Sequence, residues 1–125
     1  MRKNILIVDD HTDLRQLVSI TLECSNYRLS QAASADEALR CIEDVQPDLM
    51  VLDVMMPGEM NGYQLCEKIK KHTQYQSIKV ILLTARGQQA DIQEGIRVKS
   101  DAYLVKPFSP LMLLKKVDEL LDGDE

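Results

Sequence analysis

The stretch DLMVLDVMMPG, residues 48–58, decides the fold class of this chain. Its apolar run Leu-Met-Val-Leu does not alternate with polar residues, which is typical of a strand buried on both faces. Two methionines, a proline and a glycine then end the strand. A single carboxylate, Asp53, stands at its carboxyl end, and a buried carboxylate is costly to desolvate unless a partner pairs with it. The stretch therefore predicts a fully buried strand and leaves Asp53 to be explained.

Four further apolar runs flank this strand, and five helical patterns alternate with the five runs. The second run has the weakest pattern, which indicates an edge strand. Strict alternation of strand and helix predicts an α/β domain with a five-stranded parallel sheet, five helices on its two faces and right-handed crossovers. The predicted strands cover residues 4–9, 27–32, 48–53, 78–84 and 101–105.

The predicted helices carry apolar stripes and recognisable start signals. Ser34 and Glu37 stand as a capping box before the second helix. Ser109 and Pro110 are the N-cap and the first residue of the fifth helix. The third helix is expected over residues 62–71 and the fourth over residues 88–98. The residues at helical spacing are Leu14, Leu17, Val18, Thr21 and Leu22 in the first helix, Ala35, Ala38, Leu39 and Ile42 in the second, and Leu65, Cys66 and Ile69 in the third. Ile92 and Ile96 are the expected main anchors of the fourth helix, and Leu113, Leu114, Val117 and Leu121 are the predicted buried residues of the fifth.

Length and composition limit the class of protein. A chain of 125 residues is long enough for one domain with a real core and too short for two, so residues 1–125 are expected to form a single domain. A formal net charge of −5 argues against nucleic acid as a direct partner, because phosphate binding favours a basic surface. The chain shows no signal-peptide pattern and no apolar run long enough to cross a bilayer, which predicts a cytoplasmic protein without a membrane partner.

The cysteines do not suggest a disulfide or a metal centre. Cys24, Cys41 and Cys66 are odd in number, far apart and outside any metal-ligand spacing. Each stands among apolar positions at helical spacing. We expect three small core residues in a reducing compartment.

Polar residues end four of the five predicted strands. The first strand ends in Asp9-Asp10, the third in Asp53 and the fourth in Thr84, and the fifth runs into Lys106-Pro107. The carboxyl ends of parallel strands meet at one edge of the sheet, and ligands of such sheets bind outside that edge. We therefore expect these groups to form one cluster.

Each group alone also has an ordinary structural explanation. The acid pair could be a solvated turn, the threonine a β-branched strand residue and the Lys-Pro pair a plain turn. Met55 and Met56 are explained by packing, and Pro57-Gly58 by turn formation. Asp53 is hardest to explain in this way. Because all of these explanations would have to hold together at one edge, the pattern favours a site.

The chemistry of the cluster points to phosphoryl transfer. Clustered carboxylates repel one another unless a cation lies among them, and an all-oxygen set suits Mg²⁺. A phosphoryl group could then be held by the ion, the Lys106 ammonium and the Thr84 hydroxyl. In this interpretation Asp53 is the nucleophile that attacks phosphorus.

Four motifs together give a family resemblance. The segments ILIVDD, DLMVLDVMMPG, VILLTA and DAYLVKPF resemble the receiver domain of two-component response regulators, a flavodoxin-like phosphoacceptor module. The resemblance extends from about Lys3 to Leu121. It implies a single receiver domain over residues 1–125 with the strand order 2-1-3-4-5.

The resemblance also implies a phosphorylation site and its metal ligands. Asp53 is the implied phosphorylation site. The implied Mg²⁺ ligands are Asp10, Asp53 and the backbone carbonyl of Met55, with Asp9 acting directly or through water.

The remaining implied site residues bind the phosphoryl group or change conformation when it is present. Thr84 and Lys106 contact the phosphoryl group, and the Lys106-Pro107 peptide bond is expected to be cis. Tyr103 takes the place of the aromatic switch residue, which moves inward when Thr84 turns toward the phosphate.

Three departures from the family pattern bear on expectations. The loop MPGEMNG is one residue longer than the commonest family form. Lys99 stands where many members have glycine, so either a left-handed lysine is tolerated there or the turn is built differently. Met55 and Arg86 occupy the two positions that tune access of water to the acyl phosphate. A large apolar residue and a long cation should hinder in-line attack, which predicts a longer-lived phosphorylated state than in fast chemotaxis-type members.

The function expected from the resemblance is a signalling switch. A sensor histidine kinase or a histidine phosphotransfer protein would donate the phosphoryl group, and the chain would catalyse only its own phosphorylation and dephosphorylation. A downstream protein or output domain would bind the face made by the fourth helix, fifth strand and fifth helix. The residues expected to be exposed on that face are Gln88, Arg97, Lys99 and Lys115.

Two alternatives remain open at this point. A haloacid-dehalogenase-like phosphatase would also use an aspartyl-phosphate intermediate, although such enzymes have a second acid two residues after the nucleophile, where this chain has Met55. A degenerate receiver would act as a docking module independent of phosphorylation, although no member of the acidic, threonine and lysine set is missing.

Overall fold

Five strands and five helices alternate along the chain, as the sequence predicts. The computed structural model describes residues 3–23, 25–56, 58, 60–85 and 89–122. The elements in chain order are β1 (Asn4–Val8), α1 (Thr12–Glu23), β2 (Arg28–Ala32), α2 (Ala35–Val45), β3 (Leu49–Asp53), α3 (Gly62–Lys71), β4 (Lys79–Thr84), α4 (Gln89–Arg97), β5 (Ala102–Val105) and α5 (Pro110–Asp122).

All strand pairs are parallel, and the strand order is β2-β1-β3-β4-β5. The predicted fold class, strand order and edge position of β2 are therefore confirmed. The order reverses between β1 and β3, because the chain passes from β1 outward to β2 and returns to the other side of β1. In open sheets of this kind, that reversal point is where ligands bind.

Two apolar cores lie on opposite faces of the sheet and explain the absence of alternation in the strands. On one face, Leu6, Met50 and Leu52 pack with residues of α2 and α3. On the other, Ile5 and Val51 pack with residues of α1 and α5. Every residue of β3 is buried, as the run Leu-Met-Val-Leu predicts for a strand covered on both sides.

The predicted boundaries are right to within one residue for all the strands and for α3 and α4. β1 ends one residue earlier than predicted, while β2, β3, β4 and β5 each begin one residue later. α3 has the predicted bounds and α4 is one residue shorter at each end. None of the described helices is both long and apolar enough to cross a membrane.

Two residues of the predicted apolar stripes, Leu17 and the expected anchor Ile96, are exposed. The Leu17 side chain is 48% exposed and that of Ile96 is 71% exposed. On α1 the buried stripe runs through Val18 and Leu22, and Leu17 lies about 100° around the helix from Val18. At the end of α4 the buried apolar residue is Val98, not Ile96. Thr21, Leu39, Ile92 and Leu114 are half-buried.

The helix starts differ in detail from the predicted caps. The Ser34 hydroxyl accepts the N–H of Glu37 at 3.2 Å, as expected, but the Glu37 carboxylate accepts the N–H of Ala33 rather than that of Ser34. A complete capping box, which the sequence analysis missed, opens α3 between Asn61 and Gln64. At α5 the Ser109 hydroxyl accepts the N–H of Leu111 at 3.1 Å, which confirms the predicted cap.

Lys99 does adopt the left-handed conformation, with φ 64°. Its N–H donates to the Ile96 carbonyl and that of Ser100 donates to the Gly95 carbonyl, both at 3.0 Å. These two bonds form a Schellman motif at the end of α4, in which glycine is the commonest left-handed residue. The turn is thus built as in members that have glycine, with a lysine in the strained position.

Candidate functional site

The strand ends bring the predicted polar residues to one edge of the sheet. Val8 of β1 lies opposite Leu52 of β3, and Asp53 lies opposite Leu83 of β4. Thr84 then lies opposite Val105 of β5. The residues that follow these strand ends therefore start from aligned positions, which is why a site can form from four separate segments.

The centre of the site is an acidic cluster. Asp9, Asp10, His11 and Asp53 each offer one possible metal-ligand atom, and these four atoms lie within 4.8 Å of one another. Asp9 and Asp53 are buried, with 0% and 2% exposure. Taking two carboxylates this close together out of water is unfavourable unless positive charge compensates them.

His11 belongs to this cluster and was missed by the sequence analysis. Its Nδ1 lies 3.1 Å from Asp9 Oδ1 and 3.2 Å from Asp10 Oδ1. The signal available in the sequence was adjacency, since His11 directly follows the acid pair. An imidazole next to two carboxylates at a strand end is a possible ligand.

The described ammonium nearest these acids is that of Lys106. Its Nζ lies 3.3 Å from Asp53 Oδ1 and 3.7 Å from Asp9 Oδ2, which is beyond hydrogen-bond distance. Three buried carboxylate oxygens of this cluster have no hydrogen-bond partner, namely Asp9 Oδ2, Asp10 Oδ1 and Asp53 Oδ2. The unpartnered oxygens of Asp9 and Asp10, next to Asp53, are what a divalent cation requires, so these residues fit a Mg²⁺ ion.

Electrostatics at Asp53 point the same way. Burial raises the pKa of the Asp53 carboxyl above its ordinary value, and the neighbouring Asp9 charge raises this pKa further. The N–H of Met55, which donates to Asp53 Oδ1 at 3.2 Å, and the Lys106 ammonium act in the opposite direction. Burial and the Asp9 charge have the larger effect, so the ionised form of Asp53 is less favourable than that of an ordinary carboxyl group. A bound cation would stabilise it.

The start of α3 fixes the backbone beneath Asp53. A Cβ added at Gly62 would lie 2.3 Å from the Asp53 carbonyl oxygen and 2.7 Å from Val54 Cα. The Gly62 N–H also donates to the Val54 carbonyl at 3.2 Å. Only glycine permits this approach, so the helix start and the end of β3 form one rigid unit.

Thr84, Tyr103 and Lys106 lie on the β4 and β5 side of the site. Thr84 is buried at the end of β4, and its carbonyl accepts the N–H of Lys106 at 2.7 Å. The Lys106-Pro107 peptide bond is cis, as expected. The Tyr103 ring lies outward on β5 and is 41% exposed.

The two methionines after Asp53 separate. Met56 is buried, in agreement with a packing role, whereas Met55 is 73% exposed, so packing does not explain it. Arg86, the other residue expected to tune dephosphorylation, lies outside the described residues, as do Cys24, Pro57 and Gln88.

Comparison with known proteins agrees with this geometry. The family profile described as "Response regulator receiver domain" matches residues 5–118. The phosphate regulon transcriptional regulatory protein PhoB of Pseudomonas aeruginosa is 36% identical over 119 residues, which cover 95% of this chain and 52% of PhoB. The regulatory protein VanR of Enterococcus faecium is 39% identical over 118 residues, 94% of this chain and 49% of VanR.

A solved structure supports the same assignment. The chemotaxis protein CheY4 of Vibrio cholerae superposes with a TM-score of 0.89 at 33% identity, covering 96% of this chain and 99% of CheY4. The chain spans about half the length of the curated relatives it matches. The strand order agrees with these matches, and the chain belongs to the response regulator receiver family, whose function is phosphorylation-dependent switching in two-component signal transduction.

Proposed function

We propose that residues 1–125 act as one receiver domain that is phosphorylated on Asp53 with the help of Mg²⁺. The donor is a phosphohistidine of a sensor histidine kinase or of a histidine phosphotransfer protein. The chain catalyses only its own phosphorylation and dephosphorylation and has no other substrate. Phosphorylation changes its affinity for a downstream protein or output domain, and no nucleic acid is bound directly by this domain.

One observation carries the proposal. Asp53 has one oxygen held and one free: Oδ1 accepts from the Met55 N–H and faces Lys106, while Oδ2 has no hydrogen-bond partner. A carboxylate oriented in this way presents a lone pair of Oδ2 to an incoming phosphorus atom. Asp9 and Asp10 each add a further unpartnered oxygen beside it.

The ligands proposed for Mg²⁺ are Asp9, Asp10, Asp53 and the backbone carbonyl of Met55. When bound, the ion neutralises charge on these carboxylates and on the transferring phosphoryl oxygens. Asp53 needs no general base, because its ionised carboxylate is itself the nucleophile and has no proton to lose.

Transfer forms a bond between Asp53 Oδ2 and phosphorus and breaks the phosphorus–nitrogen bond of the donor. The electron pair of the broken bond stays on the donor imidazole. Lys106 offers positive charge to the phosphoryl oxygens, and the Thr84 hydroxyl donates a hydrogen bond to one of them. These two side chains act by position and charge alone.

The output follows from the placement of Thr84 and Tyr103. Rotation of Thr84 toward the phosphoryl group leaves space behind it, and the outward Tyr103 ring moves inward to fill it. Such a rearrangement alters the face made by α4, β5 and α5. Of the residues expected there, Arg97, Lys99 and Lys115 are exposed, and Arg97 pairs with Glu67 of α3 at 2.6 Å. A switch of this kind requires a partner whose affinity differs between the two states.

We place this activity in the cytoplasm. Cys41 and Cys66 are free thiols in the described part of the chain, which suits a reducing compartment. Burial raises the pKa of the Cys66 thiol to about 12, so it stays protonated and unreactive at neutral pH.

Intact mass spectrometry after incubation with acetyl phosphate tests the proposed function. We expect a gain of one phosphoryl group in the presence of Mg²⁺ and no gain when EDTA replaces the ion. If the small donor fails, the same measurement with a phosphorylated histidine phosphotransfer protein follows. A folded protein that gains nothing from either donor would contradict the proposal and favour a docking module.

The lifetime of the product tests the role assigned to Met55. We expect the phosphorylated state to outlast that of fast chemotaxis-type receivers, because the Met55 side chain and the Arg86 cation hinder the approach of water. Met55→Ala should shorten the half-life, measured as decay of the phosphorylated mass after the donor is removed. A wild-type half-life of seconds, or one unchanged by the substitution, would show that this position does not control hydrolysis.

A further inference from the structure

The imidazole of His11 lies where a metal ligand would be useful. Its Nδ1 is 3.1 Å from Asp9 Oδ1 and 3.2 Å from Asp10 Oδ1, and it is one of the four possible ligand atoms that lie within 4.8 Å of one another. The His11 side chain is 66% exposed. The question is what an imidazole adds to a set of carboxylates.

The main chain holds His11 in this position. Its N–H donates to Asp9 Oδ1 at 2.8 Å, and its carbonyl accepts the N–H of Arg15 at 3.1 Å, just before α1 begins at Thr12. The Arg15 guanidinium in turn donates to the Asp9 carbonyl. The ring is thus presented by a fixed backbone rather than by a free loop.

A second observation points to a cation at this cluster. Asp9 and Asp53 are almost fully buried, and each directs an oxygen without a hydrogen-bond partner into the cluster. These oxygens are independent of His11, since the imidazole contacts the other oxygen of Asp9. Their need for positive charge holds whichever divalent ion is present.

The type of donor atom decides which ion is preferred. Carboxylate and carbonyl oxygens suit Mg²⁺, whereas an imidazole nitrogen suits Zn²⁺, Ni²⁺ and related transition ions. For a mixed nitrogen and oxygen site, affinity rises along the first transition series from Mn²⁺ to Cu²⁺. One nitrogen added to an oxygen site therefore raises affinity selectively for these ions.

We propose that His11 Nδ1 is a further metal ligand that makes this site bind divalent transition ions more tightly than an all-oxygen receiver site does. The inference rests on the metal site proposed for Asp9, Asp10 and Asp53 and names an additional ligand in it. With an ion bound, the neutral ring would coordinate through Nδ1 and carry its proton on Nε2. Transition ions then compete with Mg²⁺ for the same carboxylates.

Calorimetric titration of wild type and His11→Ala with Ni²⁺ and with Mg²⁺ tests the proposal. The substitution should weaken Ni²⁺ binding by roughly 10–100-fold, the loss that changes around metal sites commonly produce. It should leave Mg²⁺ binding unchanged within about twofold, because Mg²⁺ has little preference for nitrogen.

His72 supplies a matched control, since the chain has only two histidines. His72 is the C-cap of α3, at the edge of the sheet where the strands begin, and so lies away from the acidic cluster. Its Nδ1 accepts the N–H of Gln74 at 3.1 Å. His72→Ala should therefore bind both ions as wild type does. A loss of Ni²⁺ affinity in this variant equal to that in His11→Ala would overturn the proposal.

A ¹⁵N NMR spectrum of the imidazoles separates ligation from proximity. Zn²⁺ should shift the Nδ1 resonance of His11 and leave that of His72 in place, while Mg²⁺ should shift neither strongly.

In the calorimetric titrations, equal Ni²⁺ affinity in wild type and His11→Ala would overturn the inference and leave the Mg²⁺ site intact. Equal losses for Ni²⁺ and Mg²⁺ would also overturn it, because they would indicate a structural role. Absence of binding of either ion to wild type would overturn the proposed metal site as well.

Discussion

Replacing Asp53 with asparagine should abolish phosphorylation completely. The substitution keeps the shape of the side chain but replaces the nucleophilic Oδ2 with an amide group that cannot accept a phosphoryl group stably. Intact mass after incubation with acetyl phosphate and Mg²⁺ should show no gain in Asp53→Asn. A phosphoryl gain in this variant would place the acceptor elsewhere and contradict the assignment of Asp53.

The same substitution should stabilise the metal-free protein at neutral pH. The pKa of Asp53 is raised in the folded state, so between its ordinary value and this raised value the folded state binds more protons than the unfolded state. The free energy of unfolding therefore falls as pH rises through that window, and Asp53 destabilises the fold above it. Asparagine does not titrate, so we expect Asp53→Asn to have the larger free energy of unfolding at neutral pH, and this difference should vanish below the ordinary carboxyl pKa of about 4.

Urea unfolding with and without Mg²⁺ measures both parts of this prediction. At a tenfold excess over its dissociation constant, a ligand of the folded state stabilises by about 1.4 kcal/mol. Wild type should gain this from Mg²⁺, and Asp53→Asn should lose most of the gain.

Asp36→Asn is the matched control for Asp53→Asn. Asp36 is an exposed acid in the first turn of α2, so its replacement removes the same charge away from the site. This variant should keep both phosphorylation and the response to Mg²⁺. If Asp53→Asn were no more stable than wild type without metal and equally responsive to Mg²⁺, the interpretation of the cluster as a cation site would be wrong.

The positions of the site residues were largely predictable because they depend on topology. Asp9, Asp53 and Thr84 lie at the ends of strands whose buried character is evident from unbroken apolar runs, and Lys106 follows the neighbouring strand β5. In a parallel sheet the ends of such strands share one edge, so chain order is sufficient to bring these groups together. Their distances and burial were not needed for that step.

What could not be predicted depends on local geometry. His11 joins the cluster because its N–H bonds to Asp9 Oδ1, and no periodicity reports such a turn. Ile96 fits a helical stripe but is 71% exposed, and the buried apolar residue at this end of α4 is Val98, so spacing alone assigned Ile96 wrongly. The close approach of Gly62 to the Asp53 backbone could not be predicted from the sequence either, because glycine is common at helix starts without such a contact.

Gly62→Ala should therefore be among the most damaging small substitutions in the chain. The added methyl group would lie 2.3 Å from the Asp53 carbonyl oxygen, and that neighbour is backbone that cannot rotate away. Either α3 or the end of β3 must move, and such overpacking costs about 3 kcal/mol. Because Asp53 is part of the displaced backbone, the stabilisation by Mg²⁺ should fall as well. Urea unfolding, repeated with Mg²⁺, measures both effects.

Gly95→Ala provides the control with the same chemical change. A Cβ at Gly95 would lie 3.3 Å from Ser100 Oγ, a side-chain atom that can shift, and alanine favours the helical conformation of α4 by about 1 kcal/mol over glycine. The free energy of unfolding should then stay within about 1 kcal/mol of wild type, with a normal response to Mg²⁺. A Gly62→Ala protein as stable as Gly95→Ala would mean that the start of α3 can move freely from β3, and the rigid support proposed for Asp53 would be wrong.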